Sequence, residues 1–167
     1  MKVALLTKER LEDLFAYKNG SLISITNRTN CPKGSFIGTK GAHGYLTAHV
    51  DCVTHRVHRL IFMLVNGYMP KTIDHIDGDK LNNKIENLRP CTRYQNQQNI
   101  KISKRNKTGT KGVYFCSKSN KYLVRISANG KRHFIGSFIT LSESVEAATV
   151  ARKELHGVFY CNDRRAA

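Results

Sequence analysis

Apolar residues fall in short groups along the first half of the chain, and each group has its own period and is closed by a polar turn. Leu11, Leu14 and Phe15 share one side of a helical repeat, which predicts a short helix over 8–18 ended by Asn19-Gly20. Leu22, Ile23 and Ile25 predict a strand after it. The stretch from Cys31 to Gly44 is rich in Gly, Lys and Ser and reads as loop. Tyr45 to Val50 then alternates, with Leu46, Ala48 and Val50 on one face, so a small antiparallel sheet is expected here. Val57 to Val65 is densely apolar and is followed by Asn66-Gly67 and Pro70, the pattern of a buried helix stopped at Gly67.

The pattern then becomes polar and finer. Thr72 to His75 reads as a short strand, Asp77 to Lys84 as a loop, and Asn87 to Pro90 as a second short strand. Thr92 with Gln95 three positions on is a capping-box start for a helix to about Ile100. Residues 101–109 are basic and almost free of large apolar side chains, which marks a linker. Beyond it, Gly112 to Cys116, Tyr122 to Ser127 and Arg132 to Phe138 are three strands joined by turns at Ser119-Asn120 and Asn129-Gly130. Thr140 and Glu143 form a second capping box, and Leu141, Val145, Ala148, Ala151 and Leu155 make one apolar helical stripe that stops at Gly157. The expected class is α+β: an N-terminal unit over 1–100, the linker, a three-stranded antiparallel sheet packed on one helix over 110–160, and a tail over 161–167. Alternation in the middle strand sends Tyr122, Val124 and Ile126 to the helix and leaves Leu123, Arg125 and Ser127 on the open face.

Charge changes this picture. The 28 Lys and Arg residues against 12 Asp and Glu give a net charge of +16 and a pI near 9.9, which calls for a polyanionic partner. No acid occurs between Glu86 and Glu143, a stretch with twelve Lys and Arg, so the footprint is expected there. The five cysteines are scattered without a CxxC pair, which argues against a disulfide scaffold and fits reduced thiols in a cytoplasm. No apolar run is long enough for a signal peptide or a membrane span, so no membrane partner is expected and the Asn27 and Asn106 sequons carry no glycosylation meaning.

The chemistry concentrates at Asp74 and His75. Cutting a phosphodiester needs an activated water, neutralised phosphate charge and help for the leaving oxygen, all within reach of a general base plus a hard divalent cation. Mg²⁺, or another divalent ion such as Mn²⁺, takes few protein oxygens, and Asp74 offers a carboxylate while Asn96 offers an amide oxygen. Histidine is the side chain whose ordinary pKa lies near neutrality, which makes His75 the candidate base, with Asn87 placed to hold its tautomer. Asp77, Gly78 and Asp79 read best as turn residues. A calcium loop fails, because Gly78 falls one position early and no Glu closes it. His49, Cys52, His55 and His58, with Cys31 and His43 upstream, invite zinc. Their spacing of three does not suit an alternating strand, so core and surface histidines are favoured and no structural zinc is expected.

The run Ile73-Asp74-His75-Ile76-Asp77-Gly78-Asp79, then Asn82-Asn83, Glu86-Asn87-Leu88-Arg89 and Gln95-Asn96, resembles the core of the HNH homing-endonuclease family, with Val57-His58-Arg59-Leu60 similar to its lead-in. The resemblance covers roughly residues 9–100 and matches the family's H-N-N variant. It implies a ββα-metal fold about 72–100, with His75 as general base, Asn87 orienting it, and Asp74 and Asn96 holding one divalent cation. His58, Arg59 and Arg89 are expected DNA contacts, the first two at the start of the buried helix.

The C-terminal unit is similar to the plant ethylene-response-factor type of DNA-binding domain, on Lys111-Gly112-Val113-Tyr114, Lys121-Tyr122, Ile126, Gly136-Ser137-Phe138, Glu146-Ala147-Ala148 and Leu155-His156-Gly157. That resemblance implies a sheet laid in the major groove, with Lys111, Tyr114, Cys116, Lys118, Arg125, Ser127, Arg132 and Phe134 facing DNA. Tyr114, Cys116 and Ser127 depart from the Arg-rich plant pattern, so no target sequence carries over. The expectation is an endonuclease on double-stranded DNA, a monomer or weak dimer whose single site nicks one strand. The rival is a DNA-binding regulator with an inactive nuclease half.

Overall fold

The computed structural model describes residues 6–29, 31–100, 102–103 and 105–161. Two compact units divide between Pro90 and Cys91, ten residues before the expected linker.

In the first unit, Thr7 caps α1 (Lys8–Glu12) by accepting from the Arg10 N–H. The helix is shorter than the predicted 8–18, because the chain turns at Asp13-Leu14 and Phe15–Lys18 forms β1. Leu14 and Phe15 are buried as expected, but from a strand entry rather than a helix face. β1 pairs antiparallel with β2 (Ser21–Ser24) across the left-handed Asn19-Gly20 turn, and β2 pairs with the two-residue β3 (Phe36–Ile37). A second sheet runs in the order β4 (Thr39–Lys40), β5 (Leu46–Val50), β6 (Val53–Arg56). The alternation read across His49 to His58 covers β6, but the hairpin that separates it from β5 was not legible in the sequence. That hairpin turns on Asp51 and Cys52, both with positive φ, and Cys52 stands where glycine would ordinarily mark such a turn.

These sheets surround α2 (Val57–Asn66), the predicted buried helix, whose Val57, Leu60 and Ile61 are fully buried among Leu11, Phe15, Leu22, Val50 and Leu88. It ends at Gly67 in the left-handed conformation, with the Gly67 N–H bonded to the Met63 carbonyl. After α2 come β7 (Thr72–His75), a polar loop, a 3-10 turn at Ile85–Asn87 and β8 (Leu88–Cys91), with β7 and β8 forming a two-stranded sheet.

In the second unit, α3 (Arg93–Gln98) starts on the predicted capping box of Thr92 and Gln95. It packs against the strand Lys121–Ala128 and the 3-10 turn at Gly157–Phe159, so by its contacts it belongs to the C-terminal unit. The antiparallel sheet runs in the order β11 (Lys131–Phe138), β10 (Lys121–Ala128), β9 (Val113–Cys116). The helix α4 (Leu141–His156) starts on the second capping box and covers one face, burying Val113, Val124, Ile126, Ala148 and Ala151. Gly112, at φ +82°, sits where a Cβ would lie 2.5 Å from Ile126 Cδ1, so both backbone conformation and space require glycine. The expected linker is not free of contacts, since Ile102 is buried and Asn106, Thr108 and Thr110 bond one another before β9.

Among the described residues no helix is long and apolar enough to cross a membrane.

Candidate active site

β7 is buried on both faces, which is unusual for a strand ending in Asp-His. Successive side chains of a strand point to opposite sides, and each finds its own partner here. Asp74 takes two hydrogen bonds on Oδ2 from Arg89 of β8, at 3.0 Å from Nε and 2.7 Å from Nη2. A buried carboxylate without a counter-charge would cost several kcal/mol, so Arg89 is what permits Asp74 to sit in this strand. The expectation that Arg89 contacts DNA meets this pairing: its guanidinium is turned inward.

His75 Nε2 lies 3.0 Å from Asn83 Oδ1 in a buried contact. An amide oxygen only accepts, so Nε2 carries the proton and the tautomer is set by Asn83. The sequence reading gave this task to Asn87. Instead, Asn87 closes the loop: its Oδ1 accepts the Asp77 N–H at 3.0 Å, while Nδ2 donates to Asp77 Oδ1 and to the Asn82 carbonyl. Its backbone carbonyl also accepts from the Ile76 N–H at 2.9 Å, holding the chain just after His75. Asn87 thus positions His75 through the backbone, and the neighbouring Asn83 does so directly. Asn83 is 2 % exposed, a burial that its place in an Asn-rich loop did not signal.

The rest of the loop is a set of side-chain-to-backbone turns. Asp77 accepts from the Asp79 N–H and from Asn82 Nδ2, and Asp79 accepts from the Leu81 N–H. Burial raises the Asp77 pKa, but the bonds from Asn87, the Asp79 N–H and Asn82 outweigh it and leave the carboxyl below its usual range. These acids hold loop shape, as their sequence suggested. Gly78, at φ +72°, makes the turn that ends β7 by donating to the His75 carbonyl.

Around the imidazole the structure adds residues that sequence reasoning missed. The His58 ring meets His75 edge-on at 4.9 Å between centroids, and Tyr45 lies 5.2 Å from His58 and 6.0 Å from His75. Two cations flank Tyr45: Arg56 is 4.4 Å and the Lys80 ammonium 4.7 Å from its ring centroid. Tyr45 stands just before β5, well outside the motif in sequence, and Arg56 ends β6 directly before the Val57 lead-in, so local spacing ties neither of them to His75.

His58 itself corrects an expectation. It was placed against phosphate, but it is buried in the first turn of α2, where desolvation, the charge of His75 and the nearby Arg56 and Arg59 push its pKa down to about 3. It stays neutral. The unfolded chain takes up a proton below pH 6.5 and the folded one does not, so stability present above 6.5 is lost as pH falls toward 3. At pH 5 the loss is about 2 kcal/mol, one and a half pK units at 1.36 kcal/mol each. Urea unfolding at pH 7 and pH 5 measures it, and a His58→Phe protein should lose that much less between the two; an equal loss in both proteins would contradict the assignment. Arg59 is likewise structural, donating to the carbonyls of Lys71 and Pro70 and so fixing the connection from α2 to β7.

The other expected oxygen donor, Asn96, is half-buried on α3 of the second unit, its N–H on the Thr92 carbonyl as in any helix. Among the described residues no three His, Cys, Asp or Glu gather to hold a metal ion, and His49 bonds Thr54 rather than a cysteine or second histidine.

In the second unit, the sheet face away from α4 carries the residues expected to face DNA. Arg125 pairs in register with Phe134 and Ser127 with Arg132, and the Arg125 guanidinium lies 5.3 Å from the Tyr114 ring and 5.9 Å from the Phe134 ring. Arg125, Arg132 and Phe134 are exposed, as is Lys118 in the β9–β10 turn. Lys111 is engaged instead, donating to the Gln98 carbonyl at 3.1 Å and to Cys161 Sγ at 3.3 Å.

The HNH endonuclease family profile matches residues 55–98, which takes in α2, β7, β8 and α3. The chain is 37% identical over 106 residues to protein 3.8 of Escherichia phage T7, covering 62% of this chain and 87% of that protein. It is 33% identical over 122 residues to an uncharacterized HNH endonuclease of Acanthamoeba polyphaga mimivirus, covering 71% of this chain and 62% of that protein. No solved structure matches.

Proposed function

This chain belongs to the HNH endonuclease family, and from that premise we propose that it is a metal-dependent endonuclease of homing type that nicks one strand of duplex DNA at a centre built on Asp74 and His75. The observation that carries the reading is the buried pair itself: a carboxylate held by Arg89 beside an imidazole whose tautomer Asn83 fixes.

With Nε2 protonated against Asn83, His75 takes the proton of the attacking water at Nδ1. Asn83 and the loop closed by Asn87 keep the ring from turning as its charge changes. Asp74 offers hard oxygen buried beside the base, the donor that Mg²⁺ or Mn²⁺ prefers over softer ligands. A divalent cation bound there would neutralise charge on the scissile phosphate and assist the leaving oxygen. Arg56 and Lys80, on either side of Tyr45, set positive charge near the same imidazole and attract the phosphate backbone. The basic open face of the second unit, with Arg125, Arg132 and Lys118, serves as the duplex anchor, in the manner of an ethylene-response-factor-like sheet.

One hydrolytic centre per chain should cut one strand per encounter. Supercoiled plasmid with Mg²⁺ is therefore expected to pass through open circle before any linear form accumulates, as read on an agarose gel. Linear product appearing without an open-circle stage would contradict nicking, and no product of either kind would contradict the nuclease.

A further inference from the structure

The second unit holds a cleft of about 620 Å³ lined by residues of α3, the C-terminal end of β10 and α4. Arg125 and Arg132 line it together with Tyr94 and Tyr114, and among the described residues no Asp or Glu does. An anion is therefore favoured, and the volume is in the range of small-molecule sites rather than of a bare phosphate.

Two buried polar atoms narrow the choice. Gln98 is 8 % exposed and lines the cleft, and among the described residues its Oε1 has no hydrogen-bond partner. The Tyr114 hydroxyl, also of the lining, is likewise buried without one among the described residues. Leaving such groups unmet is costly, so each points to a missing partner. An amide oxygen accepts only, and so do the oxygens of a fully ionised phosphate; the occupant must bring an N–H or O–H donor as well as its charge. Tyr94 and Tyr114 supply aromatic walls that suit a planar body. An anion with a flat, donor-bearing ring is a nucleotide.

We propose that this cleft is a mononucleotide site: the base enters toward Gln98 and Tyr114, and its phosphate meets Arg125 and Arg132 at the sheet face. On the reading of the chain as a DNA nuclease, the nucleotide is one turned out of the bound strand; the site itself does not depend on that reading.

The test uses the full chain labelled with ¹⁵N. Titration with dAMP is expected to shift the Gln98 side-chain amide and the Arg125 and Arg132 Nε signals saturably, while inorganic phosphate at the same concentrations leaves Gln98 unmoved. Tyr114→Phe, which removes only the hydroxyl, should weaken dAMP about three- to tenfold, the worth of one hydrogen bond. The absence of a saturable Gln98 shift, or identical shifts from phosphate alone, would overturn the site. A duplex carrying one 2-aminopurine separates the sources: fluorescence that rises on binding and is reversed by excess dAMP places a strand nucleotide in the cleft. Unchanged fluorescence with the duplex bound overturns the strand as the source and leaves a site for free nucleotides. Cleavage is not read in either arm, so failure of the nuclease reading would show separately.

Discussion

A protein carrying His75→Ala is expected to cleave supercoiled plasmid about 10²–10⁴-fold more slowly than the native chain, the usual contribution of a positioned general base. The expectation rests on the geometry at the end of β7. The imidazole is buried, its Nε2 is committed to Asn83, and the ring is enclosed by His58 and Tyr45. Alanine leaves a space there but removes no residue of the main core around α2, so the far-UV circular dichroism and duplex affinity should stay close to native. Asn83→Ala should give a smaller loss than His75→Ala, because the base remains and only its tautomer is released. Cleavage by the His75→Ala protein at the native rate would remove the imidazole from the mechanism.

Much of this was readable from the residues alone. The periodicity of Val57 to Val65, the capping boxes at Thr92 and Thr140 and the three strands of the second unit are local signals, and local signals survive because backbone bonding and capping act over three or four residues. The open face with Arg125, Ser127 and Arg132 follows from simple alternation. What the sequence hid were consequences of long-range packing. The strand β1 reads as the end of a helix because Leu14 and Phe15 suit either period, and only pairing with β2 decides between them. Tyr45 reaches His75 from the start of another sheet, and Arg56 stacks on Tyr45. His58 and Arg59 look like free cations at a helix start, and become buried or backbone-bonded only when α2 is enclosed. The exchange of roles between Asn83 and Asn87 has the same origin: two asparagines four residues apart in one loop are distinguishable only by where the loop folds.

Asp74 carries the second large expectation. Asp74→Asn keeps the side-chain shape and an oxygen that can still accept from Arg89, so the strand should persist, but it removes the negative charge that would hold a divalent cation. Arg89 then faces a neutral partner, and a modest loss of thermal stability is expected alongside the functional one. If the cation supplies several kcal/mol of charge stabilisation at the phosphate, the loss in cleavage at a fixed Mg²⁺ concentration is at least about 100-fold. The substitution therefore separates a carboxylate that serves a metal from one that serves only its arginine.

If one divalent-cation-dependent hydrolytic centre lies at Asp74 and His75, the Mg²⁺ dependence of plasmid nicking by the native and Asp74→Asn proteins reads it most directly. Predicted are nicking by the native chain that EDTA abolishes and excess Mg²⁺ restores, and an Asp74→Asn protein that needs far more Mg²⁺ or does not cut at all. Native nicking that persists in EDTA, or an Asp74→Asn protein with the native rate and the native Mg²⁺ midpoint, would contradict the account.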